Sequence, residues 1–339
     1  MRKIYYLLLA ILIVGIAACN ENSPTNNDNP AQTGNTEGES SKSGAEGIGE
    51  GDGSGANTEE IPTIEVPAIT GCLDGVFSVG ENTKIRFSQG NLQYQASTNT
   101  WRFATNQYDT IGSDNQYILE SSYKGWIDLF GWSTGTEPTY CRNYSSSPIS
   151  DFDDWGKNAI SNSDNLPNQW RTLTGDEWLY LFHGRTNAEV LFGLGSVNGV
   201  NGVIILPDYW KLPDGLTFNA STSMGLEWNE RGGKVYGSTG GNFSHNTYND
   251  LGQWHQMEDA GAVFLPAAGV RLAADNRALY ILDVRSVGEY GEYWSSTECG
   301  GGGAYHLYFY SQYLGPRSFF TCCDGLSVRL VRNIVEVEE

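Results

Sequence analysis

The sequence predicts an α+β fold, and three observations carry that expectation. Short runs of alternating apolar and polar residues recur from Gly75 to the C-terminus, as in half-buried strands. Only two segments show the i, i+3, i+4 spacing of an amphipathic helix. The composition combines 42 glycines and 12% aromatics with only 18% charged residues, which suits strands and loops and argues against a helical bundle.

The elements follow in order. Residues 76–79 and 84–88 read as strands around a turn at Gly80-Glu81-Asn82. Residues 91–95 and 101–103 flank Ser97-Thr98-Asn99-Thr100 and make a hairpin. Thr174-Gly175-Asp176-Glu177 is a capping box: the threonine caps and the glutamate reaches back. Trp178, Leu181 and Phe182 then share one helical face. A second helix spans residues 250–260, with Leu251, Trp254 and Met257 inward and Gly261 ending it. Strands are expected at residues 203–207, 263–266, 280–282, 293–296, 305–311 and 327–332, with a Gly/Asn-rich stretch at residues 221–244. No repeat and no second linker follow residue 60, so residues 61–339 form one domain.

The N-terminus sets the expected compartment. Arg2 and Lys3 precede an apolar run over residues 4–16, too short to span a bilayer comfortably and suited to the core of a secretory signal. Ile16-Ala17-Ala18-Cys19 resembles a bacterial lipobox. The resemblance implies cleavage after residue 18, lipidation of Cys19 and attachment to the outer membrane of a Gram-negative bacterium, facing the cell surface. Residues 19–60 read as a disordered tether. From residue 20 on it holds nine acids against Lys42 alone, and Ile48 is its one large apolar side chain. Its span is on the order of 35 Å.

Several chemistries are excluded or disfavoured. A net charge of −20, from 40 Asp+Glu against 20 Lys+Arg, argues against a nucleic-acid partner held through its phosphates. Four histidines leave little for a multi-histidine metal centre, and no motif asks for a cofactor. Asp151-Phe152-Asp153-Asp154 and Asn229-Glu230 offer oxygens to calcium, but Trp155 stands where an EF-hand needs a ligand, and a solvated acidic loop is the better reading. There is no Gly-x-Ser-x-Gly elbow, and Asp176 and Glu177 are accounted for by capping.

Six blocks carry a resemblance. They are Gly90-Asn91-Leu92-Gln93-Tyr94, Trp126 through Trp132, Asn168-Gln169-Trp170-Arg171-Thr172-Leu173-Thr174, Gly261 through Gly269, Tyr293-Trp294-Ser295-Ser296-Thr297, and Gly325 through Arg332. The chain resembles bacterial surface lipoproteins with a C-type-lectin-like fold, in the branch shared with formylglycine-generating enzymes. That implies two main helices among many short antiparallel strands and long loops. Such enzymes use a separated cysteine pair to hold copper. The adjacent Cys322 and Cys323 do not match it, so oxidase activity is not carried over and the chain is read as a non-enzyme. The competing readings are an oxidase of that type and a structural or pilus-tip subunit.

Residues 294–332 also resemble the variable region of proteins diversified by retroelements, where a fixed scaffold surrounds scrambled positions. Scaffold-like residues are Trp294, Ser295, Ser296, Thr297, Ala304, Leu307, Phe309, Pro316, Gly325, Ser327, Val328 and Arg329. Strand alternation turns Leu307 and Phe309 inward and His306, Tyr308 and Tyr310 to the other face. The expected ligand-binding residues are His306, Tyr308, Tyr310, Gln312, Tyr313, Ser318, Phe319, Phe320, Thr321 and Asp324, for a protein, phage, host or glycan target. The other reading has a loop at residues 312–321 covering the rings. Five cysteines remain after Cys19, an odd number, and Cys299 with Cys322 or Cys323 is the most plausible disulfide. No oligomeric state follows from the sequence.

Overall fold

The computed structural model describes residues 69–139, 151–221, 223–228, 234–238, 242–273 and 283–334. The leader, Cys19, the tether, Cys141, Asn229-Glu230 and the strand expected at residues 280–282 lie outside them.

The first half of the described chain holds β1 (Phe77–Gly80), β2 (Thr83–Phe87), β3 (Leu92–Gln95), β4 (Thr100–Phe103) and β5 (Arg171–Thr172), then α1 (Gly175–His183). The middle holds β6 (Phe192–Val197), β7 (Val200–Ile205), β8 (Ser223–Trp228), β9 (Lys234–Ser238), β10 (Thr247–Tyr248) and α2 (Leu251–Asp259). The last part is β11 (Val263–Pro266), β12 (Val270–Leu272), β13 (Asp283–Arg285), β14 (Tyr290–Gly300), β15 (Gly303–Tyr310), β16 (Tyr313–Thr321) and β17 (Leu330–Asn333). The fold is therefore α+β, with two α-helices among sheets in which nearly every pairing is antiparallel.

Two four-stranded sheets run β1-β2-β17-β5 and β10-β6-β7-β11. The largest sheet runs β14-β15-β16-β9-β8. The pairs β12-β13 and β3-β4 complete the set. The C-terminal β17 lies between β2 and β5, so the ends of the domain are stitched together. The Gly/Asn-rich stretch, given no strand from sequence, supplies β8 and β9. Residues 312–321, weighed as a covering loop, form β16 paired along β15. Pro316 is accommodated because the β15-β16 register breaks between His306 and Tyr308, beside it.

Local chemistry explains α1. Thr174 accepts from the Glu177 backbone N–H at 3.1 Å, and the Glu177 carboxylate accepts from the Thr174 N–H at 2.8 Å. Arg171 forks onto the same carboxylate at 2.7 Å through both terminal nitrogens. The helix buries Trp178, Leu181 and Phe182 against Phe77, Phe87, Leu307 and Phe309. Thr174→Ala is expected to lower stability by about 1 kcal/mol in urea unfolding. A change near zero would show that Glu177 and Arg171 hold the helix start alone.

Asp250 caps α2 at Gly252 N–H, 2.9 Å away. Trp254 and Met257 are buried as expected, while Leu251 is only partly so. Gly261 ends the helix at φ +95, a region that disfavours residues with a Cβ. A second core gathers Trp101, Phe130, Trp132, Trp155, Trp170 and Trp294. Beside it, Arg329 is buried and has no carboxylate partner among the described residues. It donates to Gln107 Oε1 at 2.9 Å and, more weakly, to Asn91 Oδ1 and Phe264 O at 3.4 Å. Burial pushes its pKa down to about 10.

The expected acidic loop is not simply solvated. Asp153 accepts from Thr136 and pairs with Lys157, and Asp154 accepts from the N–H groups of Gly156 and Thr172. Asp154 thereby ties the loop to β5 through Thr172, while Asp153 is held by Thr136 and Lys157. Among the described residues no group of three or more His, Cys, Asp or Glu is placed to hold an ion.

Candidate functional site

The β14-β15 ladder determines what faces what. Tyr290 pairs with Tyr310, Glu292 with Tyr308 and Trp294 with His306, so these six side chains share one face. Tyr293, Leu307 and Phe309 occupy the opposite face and are fully buried in the core under α1. The first face is sealed at one end, where Trp294 enters the second core and donates to Phe130 O at 2.7 Å. Towards Tyr290 and Tyr308 that cover stops, and an open cleft of about 590 Å³ begins.

One wall of the cleft is β12 and β13, through Val270, Leu272, Arg285 and the adjoining Ser286. The other is β14, β15 and β16, through Tyr290, Glu292, His306, Tyr308, Tyr313, Arg317, Ser318, Phe319 and Phe320. The tyrosines form a connected cluster. Tyr308 lies 5.6 Å from Tyr290, 5.6 Å from Tyr310 and 5.4 Å from Tyr313, and Tyr310 stacks on Tyr313 at 5.3 Å. Tyr308, Tyr310 and Tyr313 are half-buried, and Phe319 is 39% exposed.

Of the expected ligand-binding residues, His306, Tyr308, Tyr313, Ser318, Phe319 and Phe320 line the cleft. Tyr310 stands behind Tyr308 and Tyr313 and supports them. Gln312 is exposed at the tip of the β15-β16 hairpin, and Thr321 lies at its far end, so neither is a lining residue.

Two placements are corrected. His306 is not an exposed ring: it is 3% exposed, with Trp294 and Phe320 edge-on at 6.1 and 5.7 Å. Alternation gives a side chain's face but not what covers that face. Asp324 is also buried. Its oxygens accept from Ala273 N–H at 2.7 Å and from the Thr321 hydroxyl, so it fixes the loop after β16 instead of meeting a ligand. The cysteines are spread over the sheet. Cys322 is buried in the second core, and β15 separates the strand bearing Cys299 from the one ending before Cys322 and Cys323. The three are not bonded to one another.

The floor is electrostatically unusual. Glu292 is 4% exposed, and its Oε2 lies 3.5 Å from His306 Nε2. Burial, reinforced by the nearby Asp324 charge, pushes the Glu292 pKa up to about 8. Burial holds His306 down to about 3, against a smaller opposing pull from the Ser318 backbone. Both groups are thus neutral near pH 7. Burial also raises the Tyr308 hydroxyl pKa, and the adjacent Tyr290, Glu292, Tyr310 and Tyr313 add to it. At the mouth, Arg317 pairs with Asp176 at 3.2 Å and lies 4.5 Å over the Tyr305 ring. Arg285 pairs with Asp283 at 2.6 Å.

Sequence reasoning missed Glu292, Tyr290, Arg317 and the β12-β13 wall. Glu292 and Tyr290 precede the strand expected at residues 293–296, and extending its alternation backwards would have placed both on the face opposite Tyr293. The β12-β13 wall carried none, because it reaches the cleft only through tertiary packing.

The chain matches no family model, no curated protein and no solved structure. What it does must therefore be read from the cleft itself.

Proposed function

We propose that the chain is an exported, lipid-anchored protein of the Gram-negative outer membrane. Its C-type-lectin-like body recognises an extracellular protein or glycan ligand without covalent chemistry. The observation that carries this reading is the open, tyrosine-lined cleft on the C-terminal sheet. Partly accessible aromatic rings on a rigid frame offer large contact area at little entropy cost.

The division of residues 294–332 supports the same reading. Of the scaffold-like residues, all except Ser296 and Thr297 are buried. Thr297 has a bond of its own, accepting from Gly175 N–H at 3.0 Å. Of the ten expected ligand-binding residues, His306, Tyr308, Tyr313, Ser318, Phe319 and Phe320 line the cleft. Such a frame tolerates change on one face while holding the backbone still, as a diversified binder requires.

The test is to present the full chain to immobilised glycans and to bacterial, phage and host surface proteins. The triple variant Y308A/Y313A/F319A is run beside it. The expected result is that a captured ligand binds the variant at least tenfold more weakly, with near-ultraviolet circular dichroism of the tryptophan core retained. Undiminished capture by the variant would overturn the reading.

A further inference from the structure

The cleft floor holds a buried acid whose one neighbouring base, His306 Nε2, lies 3.5 Å away without a hydrogen bond between them. Glu292 Oε2 is buried and makes no hydrogen bond, and His306 Nδ1 is likewise unbonded. Burying such groups unsatisfied lowers stability, so the arrangement is more readily understood if a ligand completes it. The basic groups at the mouth are already matched, Arg317 by Asp176 and Arg285 by Asp283. Around the floor stand Tyr290, Tyr308 and Tyr313, and the faces of such rings attract cations.

We propose that the cleft receives a basic side chain of a partner protein, an arginine whose guanidinium stacks between the tyrosines and reaches the Glu292 carboxyl. This rests on the reading of the cleft as a recognition site and adds the chemistry of what enters it. A guanidinium fits better than an ammonium because it is flat, stacks on aromatic faces and forks onto the carboxylate left when its entry displaces the Glu292 proton. It is also less strongly hydrated, so less is lost when it enters an apolar cleft. The net charge of −20 adds a long-range attraction for a basic partner.

The experiment titrates the full chain with acetyl-Gly-Arg-Gly-amide and with the same peptide carrying citrulline, its neutral near-isostere, by calorimetry. The expected result is saturable binding of the arginine peptide and at least tenfold weaker binding of the citrulline peptide. Glu292→Gln should reduce the arginine peptide to the citrulline level while leaving circular dichroism unchanged. Equal binding of both peptides, or binding of neither, would overturn the inference. The recognition reading is judged separately by ligand capture with Y308A/Y313A/F319A. Loss of capture there, together with no preference for arginine, would remove the cation and leave the cleft.

Discussion

Replacing Trp294 with alanine is expected to destabilise the fold by about 3–5 kcal/mol, among the largest effects of any single substitution here. The side chain is 1% exposed and belongs to the second core, with Phe130 and Trp132 in the same cluster. It also forms the sealed end of the cleft face, edge-on to His306 at 6.1 Å. Removing it opens a cavity between core and floor, where the surrounding sheet can relax only in part. Its lost hydrogen bond should matter less, because Phe130 O keeps a second donor, the Leu326 N–H at 3.0 Å. Trp294→Phe should therefore recover much of the loss. Urea unfolding checks this: the midpoint should fall with an unchanged slope. A cost under about 1 kcal/mol would mean that the indole does not join core and floor as described.

The second large effect is a pH-dependent stability difference between Glu292→Gln and the parent chain. Burial raises the folded-state pKa of Glu292 from 4.5 to about 8, so the folded protein keeps a proton that the unfolded chain has lost across that window. Stability falls with rising pH wherever the folded state binds more protons. The parent should therefore lose up to about 1.4 kcal/mol per pH unit relative to the variant between those two values. Outside the window the difference should be flat. His306 acts with the opposite sign. Its lowered pKa makes stability rise with pH between about 3 and its ordinary value of 6.5. It is present in both proteins, as are the raised Asp128 and Asp324, and all three largely cancel in the difference. Paired urea titrations from pH 4 to 9 read the result directly. A difference that does not grow with pH would show that Glu292 is already ionised in the fold.

These two residues mark how much was legible beforehand. Trp294 stood in a recognisable Tyr-Trp-Ser-Ser-Thr block on an expected strand, and the inward turn of Leu307 and Phe309 followed from alternation. The α1 capping box was readable to the residue, because both of its hydrogen bonds join groups three positions apart. Glu292 was passed over because it precedes the strand expected at residues 293–296. Its unusual state depends on the packing around Trp294 and His306 and on the β12-β13 wall across the cleft. The His306 error has the same origin. Three rings alternating on a strand were given a common exposure, but one end of their face is roofed by the second core and the other is not.

The sequence alone determined the α+β class, the two helices with the α1 capping box, many of the strands and the side of residues 305–311 that turns to the core. These depend on interactions between near neighbours and on periodicity, which a chain carries in its own order. Tertiary structure alone decided that residues 312–321 are a strand and not a lid, that His306 and Asp324 are enclosed, and that Glu292 lies at the floor of a tyrosine cleft. Those facts depend on which distant segments meet, and burial, with the shifted ionisation it brings, is a property of the meeting and not of any one segment.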